Sequence, residues 1–283
     1  MAPFAKTGGL GDVVASLAGA VRALGHEVSV FLPRYRSIDI QKWELETAID
    51  YFEMIVGNQL EATRVFSKKL ANGIKVYFIE HPDYFMRDEL YGTLVGDYQD
   101  NDRRFIYFQR AALKAAEKLK LAPDIVHCHD WQTGLIPAYL KTTEAGYVPF
   151  QKTRSVFTVH NLAYQGNFPP DSFLATGLGW EFYKSDFLEF YGKFSFLKGG
   201  LVFADAVTTV SERYSRDPLV GVLRAPVRLR DAGFLLSDLG RLSRRLGGSG
   251  PLVGHDRPVA GPARASADRL VAGGLGRQSA GLP

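Results

Sequence analysis

Lys6-Thr7-Gly8-Gly9-Leu10-Gly11-Asp12 sets a cation and three glycines directly before an amphipathic run. Glycine lacks a Cβ, so the backbone there can turn through positive φ and come close to a bound group. The free amides at the start of the following helix favour an anion, and Lys6 adds a mobile cation. On local pattern alone the stretch reads first as a tight connection and second as a phosphate cradle. Neither the Walker A spacing nor Gly-x-Gly-x-x-Gly is present, so the pattern indicates neither an ATPase nor a dinucleotide enzyme. Working outward, Val13, Val14, Leu17, Ala20, Val21 and Leu24 fall at helical spacing, and Gly25 stops the helix. Glu27 to Leu32 reads as a buried strand ended by Pro33. Loop, helix and strand together open a doubly wound α/β unit.

Further along, the pattern alternates between strands and helices. Residues Gln41 to Glu80 read as an antiparallel insertion, with Asn72-Gly73 as a hairpin turn between Glu61–Leu70 and Ile74–Glu80. Tyr84 to Asp102 reads as a surface loop, and Phe105 to Leu119 as an amphipathic helix. Asp124 to His127 and Ser155 to Val159 read as strands, Trp131 to Lys141 as the helix between them. Lys193 to Phe203 reads as a helix, Ala206 to Val210 as a strand, and Ser211 as the cap of a further helix.

His127, His129 and Asp130 have the chemistry of zinc ligands. Adjacent and alternate residues at the strand end are expected to point in different directions, so a metal site is disfavoured and no metal is predicted. His127 and Cys128 are expected to be packed residues of the strand.

Bulk properties narrow the classes further. The 283 residues hold 34 basic and 30 acidic side chains. Residues 217–283 contribute 10 Arg and 5 Asp, which leaves 24 basic against 25 acidic residues before them. The body is nearly neutral, so no nucleic-acid partner is expected. Cys128 is the only cysteine, and no apolar run reaches membrane-spanning length. A soluble, cytoplasmic protein without a membrane partner is expected. Residues 217–283 contain no Lys, Glu, Asn, Thr, Ile, Tyr or Trp and are rich in Arg, Gly, Ala and Pro. That composition predicts disorder, apart from a possible short helix at Phe234 to Leu246, and fits a shifted reading frame or a mis-set end. Two segments are therefore expected, 1–216 and 217–283.

Three stretches resemble one family. Ala2-Pro3-Phe4-Ala5-Lys6-Thr7-Gly8-Gly9-Leu10-Gly11-Asp12-Val13 is similar to the opening signature of the ADP-glucose-dependent glycogen and starch synthases. His127-Cys128-His129-Asp130-Trp131-Gln132-Thr133-Gly134 and Thr158-Val159-His160-Asn161-Leu162-Ala163-Tyr164-Gln165-Gly166 follow in the family's order. The resemblance covers about the first three quarters of the chain. It implies the N-terminal half of a GT-B enzyme, a Rossmann-like parallel sheet carrying a β-hairpin insertion. In the family an apolar strand precedes the first motif, so a mid-sheet strand is expected to be lacking here, with neighbouring backbone groups left unpaired.

The resemblance also implies a reaction: transfer of glucose from ADP-glucose to the non-reducing end of an α-1,4-glucan, glycogen or starch, with retention and no cofactor. It places Lys6, Asp130 and His160 at the reacting end. Gly8, Gly9, Asp12, Tyr91 and Asn161 are then substrate-binding residues. The family's C-terminal domain carries an Arg and Lys pair for the diphosphate and most of the adenosine pocket, and residues 217–283 show no matching motif. The chain alone is thus expected to be inactive. The alternatives are a non-catalytic α-glucan-binding module, a product without function and, on fold analogy only, a nucleotide-binding regulator.

Overall fold

The computed structural model describes residues 1–210. Residues 211–283 lie outside the described residues, and with them the expected cap at Ser211, the boundary at 216, the helix at 234–246 and the expected disorder.

The glycine loop opens onto α1, Gly9–Ala23. Gly8 stands at its N-cap with φ 143° and ψ −167°, a conformation open to glycine and strained for other residues. After α1 come β1 (Ser29–Pro33), β2 (Glu46–Val56), β3 (Gln59–Lys69) and β4 (Lys75–Glu80). Asn72-Gly73 forms the β3–β4 turn as its sequence predicts, Gly73 taking φ 86°. β4 lies parallel to β1, and β3 and β2 extend it antiparallel in the order β1-β4-β3-β2. The insertion is therefore β2 and β3, while β4 belongs to the parallel part.

Next are α2 (Pro82–Phe85), a small hairpin of β5 (Gly92–Thr93) and β6 (Gly96–Asp97), and α3 (Asn101–Lys118). The expectation of a surface loop over Tyr84–Asp102 needs correction. Tyr84 and Phe85 are buried, and α3 starts four residues before Phe105. The cause is Arg104, a fully buried side chain that no apolar periodicity would place inside. Its guanidinium donates to the carbonyls of Tyr84 at 2.7 Å and Leu90 at 3.0 Å and to Asn101 Oδ1 at 2.5 Å. The same helix buries Phe105, Ile106, Tyr107 and Phe108, each burial contributing roughly 1.5–3 kcal/mol.

The second half holds β7 (Ile125–His129), α4 (Ile136–Lys141), β8 (Arg154–Val159), β9 (Asn167–Phe168), β10 (Glu189–Phe190), β11 (Lys193–Ser195), α5 (Phe196–Phe203) and β12 (Ala206–Thr209). β7, β8 and β12 form a parallel sheet in the order β12-β8-β7. β9, β10 and β11 form a small antiparallel sheet.

Two helices are shorter than their sequence predicts. The run from Trp131 breaks into a 3-10 turn, Trp131–Thr133, and α4, because Pro137 has no N–H to return to the Thr133 carbonyl. Residues 193–195 pair as β11, and α5 begins at Phe196, where Ser195 Oγ accepts the Lys198 N–H at 3.3 Å.

The parallel strands fall in two sheets, with β1 at the end of one and β7 at the end of the other. Among the described residues each has one unpaired edge. On β7 the consequence is exposure: Ile125 is 61% exposed, and His127, expected to be packed, is exposed as well. Cys128 is buried as expected.

Candidate functional site

Because β7 and β8 run parallel in register, with His129 opposite Thr158, the chain leaves both at the same end of the sheet. Asp130 and His160 are the first residues beyond them. Ligands of open α/β sheets bind at these carboxyl ends. Asp130 adopts φ 56°, uncommon for a residue with a Cβ. Its amide donates to the Thr158 carbonyl at 2.9 Å. Its Oδ1 accepts the backbone N–H of His160 at 2.7 Å and that of Asn161 at 3.4 Å. The carboxylate thus straps the two strand ends together. Burial raises the Asp130 pKa, partly offset by those amides and by His160. Burial lowers that of His160, against the pull of the Asp130 charge.

Asn161 is only partly free for a ligand. Its Oδ1 accepts the Ala163 N–H at 2.9 Å in a turn two residues long, which leaves the Nδ2 donors without a partner among the described residues. Nearby, Gly166 takes φ 60° beneath Trp131, where a Cβ would stand 2.6 Å from the indole ring.

At the glycine loop, Lys6 Nζ lies 2.7 Å from Asp12 Oδ2, both side chains about half exposed. An exposed pair of this kind is worth about 0–1 kcal/mol, so an incoming anion can displace Asp12 at little cost. A Cβ on Gly8 or Gly9 would meet no heavy atom within 4 Å. Internal packing therefore does not explain the glycine at position 9.

Burial, then the Asp130 charge, push the pKa of the Tyr91 hydroxyl up to about 12, against the pull of Arg104 and Thr7. The Tyr91 carbonyl accepts from Asn101 Nδ2 at 2.8 Å. The Met1 ammonium donates to the Ala5 carbonyl at 3.1 Å, and its pKa is lowered by burial against the pull of the Asp12 charge. Asp130, His160 and Asn161 are thus brought together at the ends of β7 and β8, while Lys6 and Asp12 pair with each other at the glycine loop.

Sequence reasoning missed Thr7, Asn101, Arg104 and His129. It also erred on direction, because residues two apart on a strand share a face. The His127 and His129 rings stack at 4.3 Å and 23°, and that period of two was the available signal. Their nitrogens go to hydrogen bonds: His127 Nε2 lies 2.6 Å from Thr158 Oγ1, and His129 Nδ1 lies 3.1 Å from His160 Nε2. Among the described residues, no group of three or more His, Cys, Asp or Glu is disposed to hold a metal ion.

Residues 1–220 match the family described as the starch synthase catalytic domain. The chain belongs to that family. It is 45% identical over 213 residues to the glycogen synthase of Koribacter versatilis, covering 75% of this chain and 43% of that protein. It is 44% identical over 221 residues to glycogen synthase 2 of Geobacter metallireducens, covering 77% and 45%. The catalytic domain of starch synthase IV from Arabidopsis thaliana, solved bound to ADP and acarbose, superposes with a TM-score of 0.70 at 32% identity, over 86% of this chain and 48% of that one. The chain spans under half the length of these relatives. Its fold is accordingly that of one half of a starch synthase catalytic domain, of GT-B architecture.

Proposed function

We propose that this starch synthase family chain provides one wall of the cleft of a glucosyltransferase that moves glucose from ADP-glucose to the non-reducing end of an α-1,4-glucan. The observation that carries the reading is the junction of Asp130, His160 and Asn161, where one carboxylate ties together the carboxyl ends of β7 and β8. As the glucosyl bond to the diphosphate breaks, negative charge grows on the leaving group and positive charge on the sugar. Fixed cations and amides aimed at the phosphate lower that barrier. Lys6 and the uncapped amides at the start of α1 are the groups this chain offers there. Asp130 and His160 line the reacting end, and Asp12, Tyr91 and the Asn161 amide meet sugar hydroxyls.

The same physics makes the chain by itself a poor catalyst. Enclosure excludes water and brings cations from both sides of the cleft, and one wall supplies half of them. The loss of one set of phosphate ligands costs on the order of 10³-fold in rate or more. The test is incorporation of labelled glucose into glycogen, with ADP-glucose and UDP-glucose offered separately. The purified chain is expected at background. A chimera carrying residues 1–210 in place of the matching segment of the Koribacter relative is expected to be active with ADP-glucose, and its Lys6→Ala and His160→Ala forms to lose about 10²-fold or more in kcat. A folded chimera without activity, or one indifferent to both substitutions, overturns the proposal.

A further inference from the structure

His129 has no part in the function proposed above, yet it is the most constrained side chain at the strand ends. Its backbone is bracketed by Thr133, whose hydroxyl oxygen accepts the His129 N–H at 2.7 Å and lies 2.9 Å from the His129 carbonyl. One face of its ring stacks on His127. His127 is in turn held by Thr158, whose hydroxyl lies 2.5 Å from that of Thr208 on β12. On the other side the His129 ring stands 5.3 Å from the His160 ring, centroid to centroid, with Nδ1 facing Nε2 at 3.1 Å. Three strands therefore converge on the placement of one nitrogen.

We infer that His129 is a positioning residue: it couples the tautomer of His160 to its own, sets the His160 ring orientation and leaves Nδ1 of His160 as the nitrogen offered to a ligand. This inference rests on the reading of His160 as a substrate-facing residue. The chemistry is a constraint on one proton. Two neutral imidazoles in hydrogen-bond contact hold a single proton between their facing nitrogens, one donating and the other accepting. Whichever nitrogen holds it, the tautomer of His160 follows from that of its partner, and Nδ1 takes the opposite role to Nε2. Burial lowers the pKa of both rings, which keeps both neutral. The groups facing the pair are His127, the Asp130 carboxylate and the Met1 ammonium. Among the described residues His160 Nδ1 makes no hydrogen bond, so its role is open to a sugar hydroxyl or phosphate oxygen.

The experiment is nitrogen-15 NMR of the histidine rings in the 283-residue chain at pH 8, in the parent and in His129→Phe and His129→Asn. Phenylalanine keeps the ring shape and removes the nitrogen, whereas the asparagine amide places a polar atom close to the former Nδ1. The parent is expected to show His129 and His160 in the same tautomer, both protonated on Nδ1 or both on Nε2, His129→Phe to change the His160 ring signals, and His129→Asn to return them toward the parent. Different tautomers for the two rings in the parent, or an unchanged His160 spectrum in a folded His129→Phe, overturns the inference, and the parent spectrum alone decides if that variant does not fold. In the chimera, His129→Phe should lower kcat about 10-fold with KM for ADP-glucose changed less than about 2-fold, and His129→Asn should restore most of the loss. If the chimera is inactive throughout while the spectra behave as expected, the glucosyl-transfer reading fails and the positioning role stands.

Discussion

Asp130 carries two opposed demands on one carboxylate. It must accept the His160 and Asn161 amides to hold the strand ends, and it must do so while buried, which penalises its charge. Its folded-state pKa is raised, so between the unfolded value of about 3.9 and that raised value the native state binds more protons than the unfolded one. Stability therefore falls as pH rises through this window. Asp130→Asn keeps an acceptor oxygen and removes the charge. The variant is expected to be more stable than the parent at pH 7 by urea denaturation, with the difference shrinking to nothing as the pH approaches 4. A variant less stable at pH 7 would show that the amide bonds outweigh the desolvation. Gly166 makes a second demand visible at single-residue scale. Gly166→Ala combines a positive φ with a methyl pushed into Trp131 and is expected to cost about 1–3 kcal/mol, read from the urea midpoint.

Among elements, the decisive junction is between α3 and the segment that carries Tyr91. Arg104 and Asn101 hold the carbonyls of Tyr84, Leu90 and Tyr91 from inside. The position of Tyr91 is thus set from α3 as well as by the small hairpin, across which its carbonyl accepts the Tyr98 N–H at 3.0 Å. Arg104→Met keeps much of the side-chain volume but leaves two buried carbonyls without donors, at about 1–3 kcal/mol each. The expected loss of stability is about 2–5 kcal/mol, accompanied by faster proteolytic cleavage between residues 86 and 100. A variant as stable and as resistant as the parent would place the anchoring of this segment elsewhere. The β7 edge shows a related dependence, since its one neighbour β8 positions both Asp130 and His160.

For the whole molecule, acid is the revealing perturbation. His129 and His160 both have pKa values lowered chiefly by burial. Below the unfolded value of about 6.5 the unfolded state takes up protons that the native state refuses. Their contribution to stability is therefore present above about 6.5 and is lost as the pH falls toward their lowered folded values. The urea midpoint is expected to drop between pH 7.5 and 5.5, and to drop less in His129→Phe. A midpoint independent of pH over that interval would mean that the rings are solvated.

The sequence by itself determined the class of fold and the family. The glycine loop with its helix, the Asn72-Gly73 turn and the two motifs ending β7 and β8 are local signals, because turn chemistry, helical period and strand ends are written within a few residues of one another. What only the tertiary structure decided concerns partners far apart in the chain. Arg104 inside the core and His129 against His160 both depend on which side chains desolvate together. Even the break at Pro137, a local signal, falls inside a run that reads as one helix from Trp131 to Lys141, and the burial and pairing of polar side chains leave no local signal at all. A buried charge or imidazole is stable only where packing brings its partner, and no local period records that partner.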